Sequence, residues 1–304
     1  AGVAREARRA RLVPMAGNPA LNDKIFERET AASRGDAFSP GWGSPANEVP
    51  TGLFDQATSS TTVGPVTGTG DTMRMSGTMS ASAILLGVLL VAAWVGWQGV
   101  KVVTGTTVAG KTVVISTSIP IWFWGGLIGA LGVGILTALK PKLARFTAPL
   151  YAICEGVFVG GLSKIYEVQY DGIVLQAVGL TVGVFAVLLV LYSTGTVRVT
   201  DRFRKGVIAA TGAIMLVYLA SWIARMFGSN IPMIHDAGIV GIGFSLLVVG
   251  IASANLLLDF DFIERGVKLG APRYMEWYGA FGLMVSLVWL YLELLRLLSK
   301  LRER

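Results

Sequence analysis

The sequence predicts an all-α membrane protein built from seven transmembrane helices. Of its 304 residues, 53% are hydrophobic and only 15% are charged, and the uncharged residues run together in long stretches. Soluble domains carry about 25% charged residues, so the deficit of charge is large. A membrane-spanning helix needs about 20 apolar residues, and seven stretches meet or approach that length.

Five of the seven stretches contain no Asp, Glu, Lys or Arg, and two contain a single acid each, Glu155 and Glu293. In chain order, the stretches are 81–100, 112–139, 146–163, 172–197, 206–224, 237–258 and 277–295. None of them alternates apolar and polar residues as a lipid-facing barrel strand would, so each is predicted to be a helix.

Glycines four residues apart predict close helix packing in lipid, because small residues let two helix backbones approach. No strand–loop–helix pattern surrounds these glycines, so phosphate-binding loops are not indicated. The pairs are Gly125 and Gly129, Gly156 and Gly160, and Gly179 and Gly183.

Residues 1–79 differ from the rest of the chain. They are rich in Gly, Ser, Thr and Pro, and they hold eight bases and eight acids. Such a composition buries too little apolar area to offset chain entropy, so we predict a disordered tail before a transmembrane domain over 80–304. Met15 is the expected natural start, and the first spanning helix is expected to direct insertion without a signal peptide.

The loops predict the orientation of the bundle. Loops after segments two, four and six carry ten bases, and loops after segments one, three and five carry four. The positive-inside rule places the ten bases and the tail in the cytoplasm, and nucleic acid is not an expected partner. Seven full crossings place the last three bases, Lys300, Arg302 and Arg304, outside. Either those bases are tolerated or segment seven does not fully cross; we expect seven crossings.

Acids at membrane depth are candidates for function, because each is costly unless it faces the bundle interior and finds a partner. Glu293 has Arg296 three residues later on the same helical face, which fits either a structural ion pair or a functional acid. Glu155 is either a buried acid bonded to a neighbouring helix or a functional group. Asp259 ends segment six, and Asn255 one turn earlier extends a polar strip into the membrane.

Two more acids follow Asp259. Asp261 lies about 200° further around the helix, so the two aspartates cannot share a face. We interpret Asp261 and Glu264 as a solvated helix end that pairs with Arg265 and Lys268 four residues later.

These segments carry a family resemblance. "ANLLLDFDFIERG" at 254–266, followed by "WLYLELLRLL", resembles the C-terminal signature of the transmembrane Bax inhibitor motif family. "LYAICEGVFVGGLSKIY" and "LYSTGTVRVTDRF" resemble its third helix and the loop between its fourth and fifth helices. The similarity covers about residues 80–300. The tail, with "GNPALND", resembles an extended actinobacterial-type branch, which implies a bacterial cytoplasmic membrane.

The resemblance implies a bundle with a central last helix that acts as a pH-sensitive calcium leak. By position, Asp259 and Glu293 are implied to share a proton, gate the pore and bind calcium transiently. Glu replaces the usual Asp in "LYLE", which leaves the gating geometry open, and Lys140 only loosely matches a basic partner in the second helix. Two close carboxylates cannot both ionise cheaply, so a shared proton would tie segments six and seven together at low pH.

Three other functions compete with this one. A membrane adaptor that restrains another membrane protein, such as a quality-control protease, would depend on the tail, so deleting residues 1–72 would abolish it and spare a leak. An intramembrane aspartyl protease would need Asp on both helices. A transporter would show an inverted repeat. We expect no enzyme activity and no cofactor, with the bilayer, calcium and other membrane proteins as partners.

Overall fold

The computed structural model describes residues 72–106, 112–118, 120–227 and 238–303, so Met15 and the tail through residue 71 lie outside the described residues. Within them, seven helices are long and apolar enough to cross a membrane, which confirms the predicted fold class. The helices are α1 Met75–Gly99, α2 Ile121–Leu139, α3 Ala144–Gln169, α4 Ile173–Ser193, α5 Asp201–Met226, α6 Ile239–Lys268 and α7 Met275–Arg302. A short 3-10 turn, Pro141–Leu143, precedes α3.

The helical domain begins earlier than residue 80. Helix α1 starts at Met75, and the two residues before it already contact the bundle. The buried Met73 donates its backbone N–H to the carbonyl of Ala271 at 2.7 Å, and the Arg74 N–H donates to Glu276 Oε1 at 2.9 Å. The end of the tail is therefore tied to the start of α7.

A β-hairpin separates α1 from α2, where helix had been predicted from residue 112. Strand β1, Lys101–Thr106, pairs antiparallel with β2, Thr112–Ser118. The run "TVVISTS" is rich in β-branched residues, which favour strands. Pro120 is the residue directly before α2 and has an extended backbone; since it has no N–H to donate, it suits the point where strand gives way to helix. Helix α2 starts directly after it, at Ile121.

Seven alternating helices give the bundle two faces. We call the face where α1 begins the tail side, and the face that carries the hairpin the hairpin side. Arg302 at the end of α7 donates to the carbonyl of Asp171 at 2.6 Å, and Tyr170 donates to Glu303 at 2.7 Å. Tyr170 and Asp171 belong to the connection between α3 and α4, which lies on the hairpin side. Helix α7 begins on the tail side and ends at this connection, so it crosses the whole bundle, as expected.

The last helix is central, as the family resemblance implied. In the most apolar part of α7, 61% of the residues are buried inside the protein, against 11% for α4. Lipid tails are as apolar as leucine, so helix association here depends on close packing and hydrogen bonds more than on removal from water. The central packing includes Tyr278, Phe281 and Met284, which lie in one buried cluster with residues of α1, α3 and α6.

Close glycine packing is confirmed between α1 and α3. A Cβ atom added to Gly160 would lie 1.8 Å from the carbonyl oxygen of Ala93, and one added to Gly156 would lie 2.5 Å from that of Leu89. No side chain fits in either place, so both positions require glycine for the two backbones to approach.

The other glycine pairs do not behave alike. A Cβ on Gly129 would lie 3.0 Å from the Cys154 sulfur, so that glycine packs against α3. Gly125, Gly179 and Gly183 have nothing within 4 Å of an added Cβ. The prediction of close packing is wrong for these three, because they face outward from the bundle.

Candidate functional site

One face of α5 carries polar groups at regular intervals. Its buried residues recur every three or four positions, which places them along one side of a helix. They are Arg204, Val207, Thr211, Ile214 and Ser221, with the partly buried Tyr218 in the same row. We use the word seam for the polar members of this row, the groups that they meet on α6 and α7, and the polar contact between α6 and α7 that continues the row.

The tail-side end of the seam is an ion cluster. Arg204 Nη2 and Arg265 Nη2 each lie 2.7 Å from the same oxygen of Asp261, and the Arg204 side chain is only 9% exposed. The interpretation of Asp261 as a solvated helix-end charge is therefore wrong. Its predicted pair with Arg265 is present, but the same carboxylate also joins α6 to α5.

The middle of the seam is a neutral contact. Asn255 on α6 is 2% exposed and donates its amide to the hydroxyl of Thr211 on α5 at 2.8 Å. The same amide also donates to the carbonyl of Ile251 at 2.9 Å. Asn255, a predicted partner residue, thus holds α5 against α6 at membrane depth.

Glu293 forms the third contact of the seam. It is 2% exposed, and its two carboxylate oxygens accept from the Tyr218 hydroxyl at 3.0 and 3.1 Å. Arg296 donates to the same two oxygens at 2.9 and 3.0 Å and to the Tyr218 hydroxyl at 2.7 Å. The predicted Glu293–Arg296 pair is present, and Tyr218, which the sequence did not single out, joins it to α5.

A buried lysine completes the row near the hairpin side. Lys300 of α7 is 4% exposed and donates to the carbonyl of Gly241 at 3.0 Å and to the hydroxyl of Ser245 at 2.8 Å. Polar contacts among α5, α6 and α7 therefore extend from one face of the bundle to the other. Lys300 is predicted to lie outside with Arg302 and Arg304, but its contacts with α6 bury it.

The packing separates Asp259 from Glu293. Across α6 and α7, Ile263 packs on Gly279 and Lys300 bonds to Gly241. This antiparallel register sets Asp259, which is 1% exposed, opposite the region of Gly282. Glu293 lies about eleven residues further along α7, or about 16 Å at 1.5 Å per residue.

At that separation the two carboxylates cannot share one proton or bind one calcium ion. The family-implied pairing of these two residues is therefore not the arrangement in this chain. An intramembrane aspartyl protease also needs two acids that share a proton, and Asp259 and Glu293 are too far apart to form such a pair. Among the residues that the structure describes, no three His, Cys, Asp or Glu side chains cluster as metal ligands.

The interface between α6 and α7 is broad and apolar. Leu256 and Phe260 of α6 pack with Leu283, Leu287 and Leu290 of α7 in one buried cluster. These two helices are thus held by close packing along their length. Repulsion between carboxylates would have to break that packing to separate α6 from α7. Helix α5, in contrast, is joined to both of these helices at the polar contacts of the seam.

Two candidate residues lie outside the seam. Glu155 is half-buried on α3 and interacts with Tyr151 one turn earlier, which packs edge-on against Phe281 at 5.0 Å between ring centroids. Lys140 is exposed at the end of α2, which packs on α3. Neither side chain is placed to act on Glu293.

The Glu264–Lys268 pair that the spacing predicted is also present. Glu264 additionally accepts a hydrogen bond from Tyr192 of α4. This contact lies on the α4 flank of α6, apart from the seam.

Seven apolar helices with a row of buried polar and charged side chains define a multi-pass membrane protein with ionisable groups at membrane depth. The model of the family described as Bax inhibitor 1 like matches residues 18–303, and the chain belongs to this family. This confirms the resemblance to the family, and the match extends into the tail as far as "NPALND"; the actinobacterial-type branch stays a prediction. No curated protein and no solved structure matches the chain.

Proposed function

We propose that the protein is a pH-sensitive leak channel for cations, calcium among them, and that ions pass along the seam between α5, α6 and α7. The observation that carries the proposal is the row of buried polar contacts from Arg204–Asp261 to Lys300–Ser245. Polar and ionised groups at membrane depth are expensive, and they commonly mark ion pathways. Amide and backbone carbonyl oxygens along this row are ligand types that calcium accepts, and they stay available when the carboxylates are protonated.

The movable element in this proposal is α5. It meets α6 and α7 through the polar contacts of Asp261, Asn255 and Glu293 and has two buried apolar residues, Val207 and Ile214, on that face, whereas α6 and α7 share a broad apolar interface. Loss of the polar contacts would loosen α5, and the opened seam would then admit water and ions.

Acid is the proposed trigger. Asp261 faces Arg204 and Arg265, and Glu293 faces Arg296, Tyr218 and the nearby Tyr166. Each ion pair needs an ionised carboxylate, so protonation weakens the hold on α5. The leak is therefore expected to rise as the pH falls. A proton shared between α6 and α7 would have the opposite effect, because it would tie these helices together at low pH.

The proposed orientation follows the charge distribution. The tail-side loops carry ten bases against four in the hairpin-side loops, so the tail side is assigned to the cytoplasm of a bacterial cell. Calcium outside the cell would then reach the seam from the hairpin side, where Lys300 blocks the closed state.

The experiment is calcium flux into liposomes that contain the purified full chain, measured at acidic and neutral pH. Glu293→Gln keeps the shape of the side chain and removes its charge. We expect its leak at neutral pH to rise roughly tenfold and to depend less on pH, because a hydrogen bond to a charged group contributes about 1.5–3 kcal/mol. Asp259→Asn should leave the pH dependence in place, because Asp259 lies about 16 Å from Glu293 along the helix axes.

Glu264→Gln is the matched control, because Glu264 pairs with Lys268 and Tyr192 outside the seam. Its flux should equal that of the unaltered protein. A rise of equal size in both variants would contradict the seam as the pathway. No flux from the unaltered protein at either pH would reject the channel and favour the adaptor, which deletion of residues 1–72 would then test.

A further inference from the structure

A second feature of the bundle is an apolar groove on its outer surface, between α1 and α4. Its volume is about 630 Å³, within the range of about 300–1,000 Å³ that ligand sites occupy. Leu90 and Trp94 form part of the α1 wall, Val178 and Val182 form part of the α4 wall, and α3 and α7 make the floor. The wall residues Leu90 and Val182 are 63% and 60% exposed, so the groove opens toward lipid.

The groove is about as long as one lipid leaflet is thick, and it lies at the level of one leaflet. Its α1 wall runs from Leu86 to Gln98, which is about 18 Å of helix at 1.5 Å per residue. Helix α1 ends at Gly99 on the hairpin side, so the groove lies in the hairpin-side half of the bundle. The hydrocarbon of one leaflet is about 15 Å thick, half of the bilayer core.

A cation lies at the hairpin-side mouth of the groove. The Lys164 ammonium group is 4.8 Å from the centre of the Trp97 ring, and Trp97 and Gln98 both line the groove. Tryptophan prefers the membrane–water interface, where phospholipid headgroups lie. The apolar wall therefore ends in a positive charge at the depth of a phosphate.

We propose that this groove binds one anionic phospholipid from the hairpin-side leaflet. One acyl chain lies between α1 and α4, and the phosphate meets Lys164. The bilayer supplies a molecule that is apolar over one leaflet and negative at the interface, which matches both parts of the site. The α7 residues in the floor include Tyr291, about 200° around the helix from Glu293, so this site is separate from the seam.

The test is native mass spectrometry of the full chain, titrated with phosphatidylglycerol and with phosphatidylcholine of the same acyl chains. We expect one tightly held phosphatidylglycerol per chain. Val178→Trp fills the groove, so it should abolish the tightly held phosphatidylglycerol and any phosphatidylcholine bound at the same place. Lys164→Glu should weaken phosphatidylglycerol roughly tenfold and phosphatidylcholine much less, because an interfacial Lys attracts anionic headgroups and the choline cation offsets the charge of the phosphate.

Lys101→Glu is the matched control, since Lys101 is exposed on the same side, whereas the Lys164 ammonium lies over Trp97 of the groove. It changes the net charge equally and should keep the preference for phosphatidylglycerol. Leu90→Trp fills the groove from the other wall, so one filled variant remains if the other does not fold. Retention of the adduct in a folded filled variant, equal losses in Lys164→Glu and Lys101→Glu, or a bound hydrophobe without phosphate would each overturn the proposal.

Discussion

Gly160→Leu is expected to prevent α1 from packing on α3 and to lower the free energy of unfolding by about 3 kcal/mol, since overpacking a close contact costs 1–3 kcal/mol or more. The Cβ atom alone would lie 1.8 Å from the carbonyl oxygen of Ala93. The obstacle is backbone, so no side-chain rotation relieves it, and the two helices must separate. The measurement is unfolding in mixed micelles with increasing sodium dodecyl sulfate.

Gly183→Leu provides the control for this substitution. It adds the same side chain to another helical glycine, but nothing lies within 4 Å of the added Cβ. Its free energy of unfolding should stay within about 0.5 kcal/mol of the unaltered protein, the usual range for a surface substitution. Equal losses in the two variants would mean that the close approach of α1 and α3 does not determine stability.

Asp261→Ala is expected to cost about 3 kcal/mol, because it leaves the nearly buried Arg204 without its main counter-charge. The side chains of Arg204 and Asp261 are 9% and 14% exposed, and the ion pair between them joins α5 to α6. The loss should appear both as a lower free energy of unfolding and as faster proteolysis of α5 in the folded protein.

Asp201→Ala tests whether any acid near Arg204 has the same effect. Asp201 is 71% exposed and lies 3.5 Å from Arg204, so its removal should cost less than about 1 kcal/mol. Replacing both partners, Arg204→Met with Asp261→Leu, should recover most of the stability lost in Asp261→Ala, because no unpaired charge stays buried. If Asp261→Ala proves as mild as Asp201→Ala, the ion pair does not hold α5.

The amino-acid sequence by itself determined the seven helices, their alternation and the contacts within each helix. Long uncharged stretches have one stable form in lipid, where each backbone group must bond within its own segment. Contacts three or four residues apart follow from helix geometry alone, which is why the pairs Glu293–Arg296, Asp261–Arg265 and Glu264–Lys268 could be predicted. The hairpin was missed because the residues of β2, Thr112–Ser118, are as uncharged as the helix that follows them.

The tertiary structure decided which residues meet between helices. Helix periodicity gives the face of a side chain, but its depth against a neighbour depends on the register of packing, such as Ile263 over Gly279. That register sets Asp259 about 16 Å from Glu293 along the helix axes, so the two form no pair. The placement of α5 against these two helices gives Glu293 its contact with Tyr218, and Asp261 its contact with Arg204, across 75 and 57 residues of chain. Side chains so far apart in sequence carry no local pattern, and only the packed bundle brings them together.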